Sequence, residues 1–189
     1  MDVSQTLVTA RLIVRVPTPA DAPAMLAYRQ RNRAHFAPSS PTPHPESDLV
    51  SHWESQFARA QEDFSLGRAA RFALFAKADP DAIVGTASLT EVIRGPFQAC
   101  LLGYGLDRDL EGRGYMREAL EAVLAFAFDH WGLHRVMANH LPTNTRSAGL
   151  LRRMGFVPEG YARDYLYLDG AWRDHVLTAL TNPRPTPPR

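Results

Sequence analysis

The chain has 189 residues, of which 45% are hydrophobic and 22% charged, enough for one domain with a full core. A formal net charge of +1 gives no broad cationic field for nucleic acid. Cys100 is the single cysteine, which rules out an intramolecular disulfide or a cysteine-rich zinc site. No apolar run approaches the ~20 residues a membrane helix needs, and no basic-then-apolar leader precedes the body. A cytoplasmic protein is expected.

In chain order, "LIVRV" (12–16) is β-branched and reads as a strand. "PADAPAMLAYRQRNR" (19–33) predicts a helix with Thr18 as its cap. The prolines of 38–45 exclude a helix there and predict an extended loop. In 46–64, Leu49, Val50, Trp53, Phe57 and Ala60 recur at helical spacing. "RFALFAK" and "AIVGTASLTEV" predict paired strands joined at "ADPDA", and "ACLLGYGL" a third strand containing Gly103 and Gly105. Residues 112–131 predict a helix whose buried stripe is Met116, Leu120, Val123, Leu124 and Ala127. "HRVMANHL" predicts a strand, "TRSAGLLRRMG" a short helix, and 161–180 two strands around an Asp169-Gly170 turn. Strands outnumber helices and helices cross between them, so the fold class is α/β (α+β) with a mixed sheet. One domain over residues 1–181 is expected, with a proline-rich tail at 182–189 that frays.

The strand holding Gly103 and Gly105 runs into "LEGRGYMREAL", where Gly112 and Gly114 stand at a helix entrance. A first helical turn offers unpaired N–H groups and the positive end of the helix dipole. Glycines there allow a phosphate to approach. The pattern lacks the Gly-Lys-Ser/Thr ending of a phosphate-binding loop and the third glycine of a dinucleotide fingerprint. The seven histidines are scattered without metal-ligand spacing, so no metal is expected.

The runs "GYGLDRDLEGRGYMREAL" and "HRVMANHLPTNTRSAGLLRRMGF" resemble the acetyl-CoA-binding core of the GCN5-related N-acetyltransferases (GNAT). Within them they resemble the RimJ/RimL branch, and the likeness extends from Leu7 to Thr181. The resemblance implies a single domain with a mixed, splayed central sheet flanked by helices, and acetyl-CoA as cosubstrate. It implies a pyrophosphate loop with its pattern on Glu111, Gly114 and Met116, and cofactor contacts at Leu106, Gly112, Arg113 and Tyr115. An anionic Glu111 is a departure from the usual Gln or Arg.

Asn144 is implied to orient the pantetheine arm. Many members carry a tyrosine acid where this chain has Leu151, and the resemblance assigns the proton for the leaving thiolate to Ser147 instead. The base is open among Glu91, Asp164 and Glu159, with Asp164 preferred. Asp174 and His175 have a strand-ordering role as an alternative to a catalytic one. Direct transfer needs no nucleophilic cysteine, so Cys100 is expected to be a packing residue. The implied reaction acetylates a protein N-terminal α-amine through a tetrahedral intermediate. Within the branch, the likeness is to enzymes acting on the N-terminal alanine of a small-subunit ribosomal protein. The alternatives are acetylation of a polyamine or aminoglycoside, and a CoA-binding ribosome-assembly factor. The oligomeric state is not implied.

Overall fold

The computed structural model describes residues 5–184. The strands are β1 (Thr6–Val8), β2 (Leu12–Arg15), β3 (Ala70–Ala76), β4 (Asp79–Ile93), β5 (Ala99–Leu106), β6 (Arg135–Met137), β7 (Val157–Leu168) and β8 (Ala171–Thr181). The helices are α1 (Ala22–Arg31), α2 (Arg33–Phe36), α3 (Val50–Ser65), α4 (Tyr115–Ala125) and α5 (Thr145–Arg153). One sheet holds the strands in the order β1-β2-β3-β4-β5-β6-β8-β7. Only β5 and β6 run parallel. This is the mixed α+β sheet that the sequence predicts.

Side-chain alternation along a strand puts a core on each face of the sheet. On β3, Phe72 and Leu74 join Met116, Leu120 and Val123 of α4. Their neighbours Ala73 and Phe75 join Ala22, Met25 and Tyr28 of α1. Helix α3 serves both cores, with Phe57 in the α1 cluster and Phe64 in the α4 cluster. Phe64 is fully buried and stacks on Phe126 at 5.8 Å, so Phe64→Ala should cost roughly 3–5 kcal/mol.

Several element boundaries differ from the sequence reading. The 19–33 helix opens with a 3-10 turn, Pro19–Asp21, and breaks at Asn32 between α1 and α2. The proline segment is not wholly extended: 3-10 turns form at Ala37–Ser39 and Pro45–Asp48, each with proline early in the turn, where its missing N–H costs nothing. Leu49 is extended, so α3 starts only at Val50. Helix α4 starts at Tyr115 because Gly112 and Gly114 have φ of 73° and 81°. It ends in a π-helical turn, Phe126–His130, closed by Trp131 N–H donating to Phe126 C=O at 3.0 Å. Of "HRVMANHL", only Arg135–Met137 joins the ladder, with one further bridge at His140. Asp169 (φ 48°) and Gly170 (φ 74°) make the expected two-residue hairpin turn. The tail is not frayed at its start: Asn182 is buried, its N–H donates to His134 C=O at 2.7 Å, and Arg184 pairs with Asp129 at 3.0 Å. The remainder of the tail, 185–189, lies outside the described residues.

β5 pairs with β6 only at Ala99–Leu101, yet continues to Leu106. Beyond Leu101 the two strands diverge and the sheet opens.

Candidate active site in the splayed sheet

The opening is a cleft of about 1040 Å³, walled by β5, the 111–117 turn and α5, and by α1, α2 and the segment 38–40. β5 forms its spine. Because side chains alternate, Tyr104 and Gly105 address opposite faces of the sheet. The cleft therefore reaches the α4–α5 side and the α1–α2 side alike.

On the α4–α5 side, Gly114 is the N-cap of α4 and supplies no side-chain cap. The first-turn N–H groups are left to a ligand. A Cβ at Gly112 would meet nothing within 4 Å, so it is the left-handed backbone, not crowding, that calls for glycine. The turn is held from behind by the β1–β2 hairpin. Arg11 donates from Nε to Glu118 at 2.7 Å and from Nη1 to the Arg113 carbonyl at 3.0 Å. Its guanidinium lies 4.0 Å from the Tyr115 ring centroid. Thr9 Oγ1 and the Arg11 backbone N–H also donate to Glu118. Partial burial opposes the charge on Glu118, but these hydrogen bonds outweigh it and hold the carboxyl below its ordinary range.

Arg117, Arg146 and Arg153 line this side. Arg117 also pairs with Glu121 at 2.8 Å; an uncapped helix N-terminus in a cleft lined by three arginines fits the phosphates of acetyl-CoA. Glu111 is not turned to solvent. It ion-pairs with Arg146 of α5 and lies 3.2 Å from His35 Nε2 of α2, tying the two walls together. The Arg113 side chain is exposed and outside the cleft lining; only its carbonyl is used, by Arg11. Tyr115, Met116 and Leu106 line the cleft.

Asn144 and Ser147 meet at the head of α5. Asn144 Oδ1 accepts the Ser147 N–H at 3.0 Å, so Asn144 caps the helix while lining the cleft. Ser147 Oγ lies 2.8 Å from Tyr104 Oη. Burial pushes the Tyr104 phenol up, in spite of its bond to Ser147, so the pair carries a proton throughout the neutral range. Leu151 is buried core.

On the α1–α2 side, a Cβ on Gly105 would stand 3.3 Å from Tyr28 Oη and 3.5 Å from Phe36 Cε1. The glycine lets these rings reach the strand. Ser40 C=O accepts the Asp169 N–H at 3.2 Å, so the proline segment and the β7–β8 turn close together over this end.

The structure does not bring every candidate to the cleft. Asp164 (φ 50°) is exposed on a bulge of β7, outside the cleft lining, with its N–H donating to Asp174 Oδ1 at 2.9 Å. Asp174 also accepts from Tyr161 Oη at 2.7 Å, which holds its carboxyl low. Asp174 thus orders the bulge. His175 is buried against Tyr165 and bonds the Arg173 carbonyl through Nδ1. Glu159 pairs with Arg135, and Glu91 (φ 50°) sits on an exposed bulge of β4. Cys100 is fully buried, which pushes its thiol up to about 12; it is inert packing. The fold does gather three histidine and carboxylate groups that the sequence leaves apart: His44, Glu46 and His52 place ligand atoms within 4.8 Å of one another. There His44 Nδ1 accepts the Glu46 N–H as a turn cap, and the two imidazoles stack.

Sequence reasoning missed Tyr104, Tyr28, Arg11 and Glu118. Tyr104 had a signal, as a large side chain between two strand glycines. Arg11 had none, because its partners are about a hundred positions away in the chain.

A family profile described as "Acetyltransferase (GNAT) domain" matches residues 11–157. The [ribosomal protein uS5]-alanine N-acetyltransferase of Escherichia coli is 43% identical over 185 residues, which cover 97% of this chain and 94% of that one. The probable N-acetyltransferase YjcK of Bacillus subtilis is 33% identical over 172 residues, covering 91% and 94%. Among solved structures, the ribosomal-protein-S5-alanine acetyltransferase of Vibrio fischeri superposes with a TM-score of 0.92 at 34% identity, covering 97% of this chain and all of that one. RimJ of Mycobacterium smegmatis, in complex with CoA-disulfide, superposes at 0.85 with 29% identity, covering 94% and 87%.

Proposed function

The chain belongs to the acetyltransferase (GNAT) domain family; from that premise we propose how its cleft performs acetyl transfer and on what. It is an acetyl-CoA-dependent N-acetyltransferase acting on a protein N-terminal amine. The acceptor we assign is the N-terminal alanine of ribosomal protein uS5, on the strength of the 43% identical Escherichia coli relative. Such an acceptor places the reaction in the cytoplasm.

Bound acetyl-CoA supplies an acetyl group activated as a thioester. The chain supplies the rest. The N–H groups after Gly114, with Arg117, Arg146 and Arg153, hold the phosphates. Asn144, its Oδ1 spent on the helix cap, orients the arm. Ser147 Oγ delivers a proton to the leaving sulfur as Tyr104 Oη, 2.8 Å away, passes one to it, and the proton shed by the attacking nitrogen returns to Tyr104 through water.

The amine's own proton is the easier half. An α-amine has pKa of about 8, so roughly a tenth is neutral at pH 7 without help. No strong base is needed. Asp164, if it receives that proton, does so through water, since it stands outside the cleft lining. A lysine side chain, with pKa about 10.4, has no such neutral fraction.

The observation that carries this reading is the Tyr104–Ser147 contact placed where β5 leaves β6, beside an uncapped helix N-terminus. Incubation with acetyl-CoA and a panel of alanine-starting peptides, their formylated forms, spermidine and an aminoglycoside tests it by mass detection. Acetylation confined to free peptide termini is expected. Faster turnover of spermidine than of any peptide overturns the acceptor.

A further inference from the structure

Away from the cleft, His44, Glu46 and His52 place ligand atoms within 4.8 Å of one another, the one cluster of three or more histidine, cysteine or acidic groups so placed among the described residues. None of the three lines the cleft. They come from two adjoining elements: His44 caps the 3-10 turn that holds Glu46, and His52 lies in the first turn of α3. The two elements are locked together. Trp53 Nε1 donates to the Ser47 carbonyl at 2.9 Å, and the Ser47 and Leu49 N–H groups donate to the His44 and Glu46 carbonyls, each at 2.9 Å. The His44 and His52 rings stack with centroids 5.8 Å apart, 15° from parallel, and His52 stands edge-on to Trp53 at 5.2 Å. The backbone thus presents the three side chains to one another before any ion arrives. Arg33, which reaches this turn, is paired with Asp48, so its charge is offset.

We propose that His44, Glu46 and His52 form a zinc site that ties the 3-10 turn to the head of α3. The donor set selects the ion. Two imidazoles and a carboxylate suit zinc, whereas one carboxylate supplies too few oxygens for calcium. Ligand atoms around one zinc stand roughly 3.3 Å apart, given bonds of about 2.0–2.1 Å, so the cluster closes by about 1.5 Å on binding. His44 and Glu46 are exposed and turn without disturbing the core. His44 Nδ1 lies 3.8 Å from Glu46 Oε2 and accepts the Glu46 N–H in a long bond of 3.3 Å. Zinc takes that lone pair and water takes the N–H, which costs little at an exposed turn. Three protein ligands leave the fourth position to water. The ion anchors one end of the proline segment, whose Ser40 carbonyl holds the Asp169 N–H over the cleft. It takes no part in acetyl transfer, so the site stands apart from the choice of acceptor.

The experiment titrates the full chain, free of any affinity tag and stripped with EDTA, with zinc chloride by calorimetry. One ion should bind per chain at micromolar zinc, and excess zinc should raise the melting temperature. His52→Ala and Glu46→Gln should each weaken binding about 10-fold or more while melting like the wild type in the absence of zinc. His134→Ala, which removes an exposed histidine elsewhere in the fold, should bind zinc like the wild type. Zinc should slow amide hydrogen exchange at residues 44–53 of the wild type and not of His52→Ala. Absence of saturable binding at micromolar zinc overturns the site. So does affinity that survives both substitutions, which would put the ion elsewhere, and so does an equal loss in His134→Ala. Should either variant melt lower than the wild type without zinc, the wild-type exchange pattern decides: protection centred on 44–53 supports the site, and protection elsewhere overturns it.

Discussion

On the α4–α5 side of β5, the cleft is lined by a glycine turn at a helix N-terminus and by short polar side chains held by other polar side chains: the turn by the Arg11–Glu118 clamp, Ser147 by Asn144 and Tyr104. On the α1–α2 side the wall is aromatic, Tyr28 and Phe36, under a roof of proline turns and a hairpin joined by one backbone hydrogen bond. The first side suits a ligand of fixed charge and shape. The second suits one whose identity differs from relative to relative, because aromatic walls and loops change without disturbing the strand beneath. The two share β5 and are tied by Glu111, which pairs with Arg146 on one side and lies beside His35 on the other; damage away from that tie should leave the other's ligand in place.

The largest effect should come from Ser147→Ala. Removing a general acid lowers kcat by about 100- to 10,000-fold. Calorimetry should show acetyl-CoA binding little changed. A loss under threefold would hand the proton to water or directly to Tyr104. Next comes Gly114→Asp. A residue with a Cβ at φ 81° is strained, and a carboxylate opposes the phosphates, so acetyl-CoA affinity should fall about 100-fold or more. Peptide KM, measured at saturating acetyl-CoA, should not move.

The smallest effect tests the clamp. Glu118 is held below its ordinary pKa, so its stabilising contribution is full above the unfolded value of about 4.3 and is lost as pH falls through the lower folded value. Glu118→Gln should lower the melting temperature at pH 7 by about 3–6 °C, on the scale of charged hydrogen bonds in a chain of this size. Acetyl-CoA binding should weaken roughly fivefold. The gap in melting temperature between wild type and variant should close as pH is lowered below about 4. A gap that persists in acid would locate the effect in packing and not in the carboxylate's charge.

The same division governs how much was legible in the sequence. Gly112, Gly114, Asn144 and Ser147 sit in two short runs whose spacing speaks for itself, because a helix entrance is a local structure. The alternating hydrophobic runs likewise gave the order of strands and helices. Their ends are not legible where a backbone angle decides them, as at Gly114 (φ 81°), or where proline opens a 3-10 turn, as at Pro38. Glu111 was legible as an oddity only; its partners Arg146 and His35 come from other elements. The acceptor side was legible least. Tyr28 looks like one more apolar position of a helix, and only the fold shows it packed against the strand glycine Gly105. Asp164 illustrates the converse: a carboxylate after a glycine corner reads as a base, while the bulge of β7 leaves it exposed and outside the cleft lining.

The claim that β5 separates a cofactor side from an acceptor side is tested most directly by a grid of initial rates in which acetyl-CoA and an alanine-starting peptide are varied together for Gly114→Asp and for Phe36→Ala, which removes a ring from the α1–α2 wall of the cleft. The first variant should raise the KM for acetyl-CoA and leave that for peptide, while the second should do the reverse. Two variants that each raise both constants would contradict it, and the cleft would then be one shared site instead of two that meet at a strand.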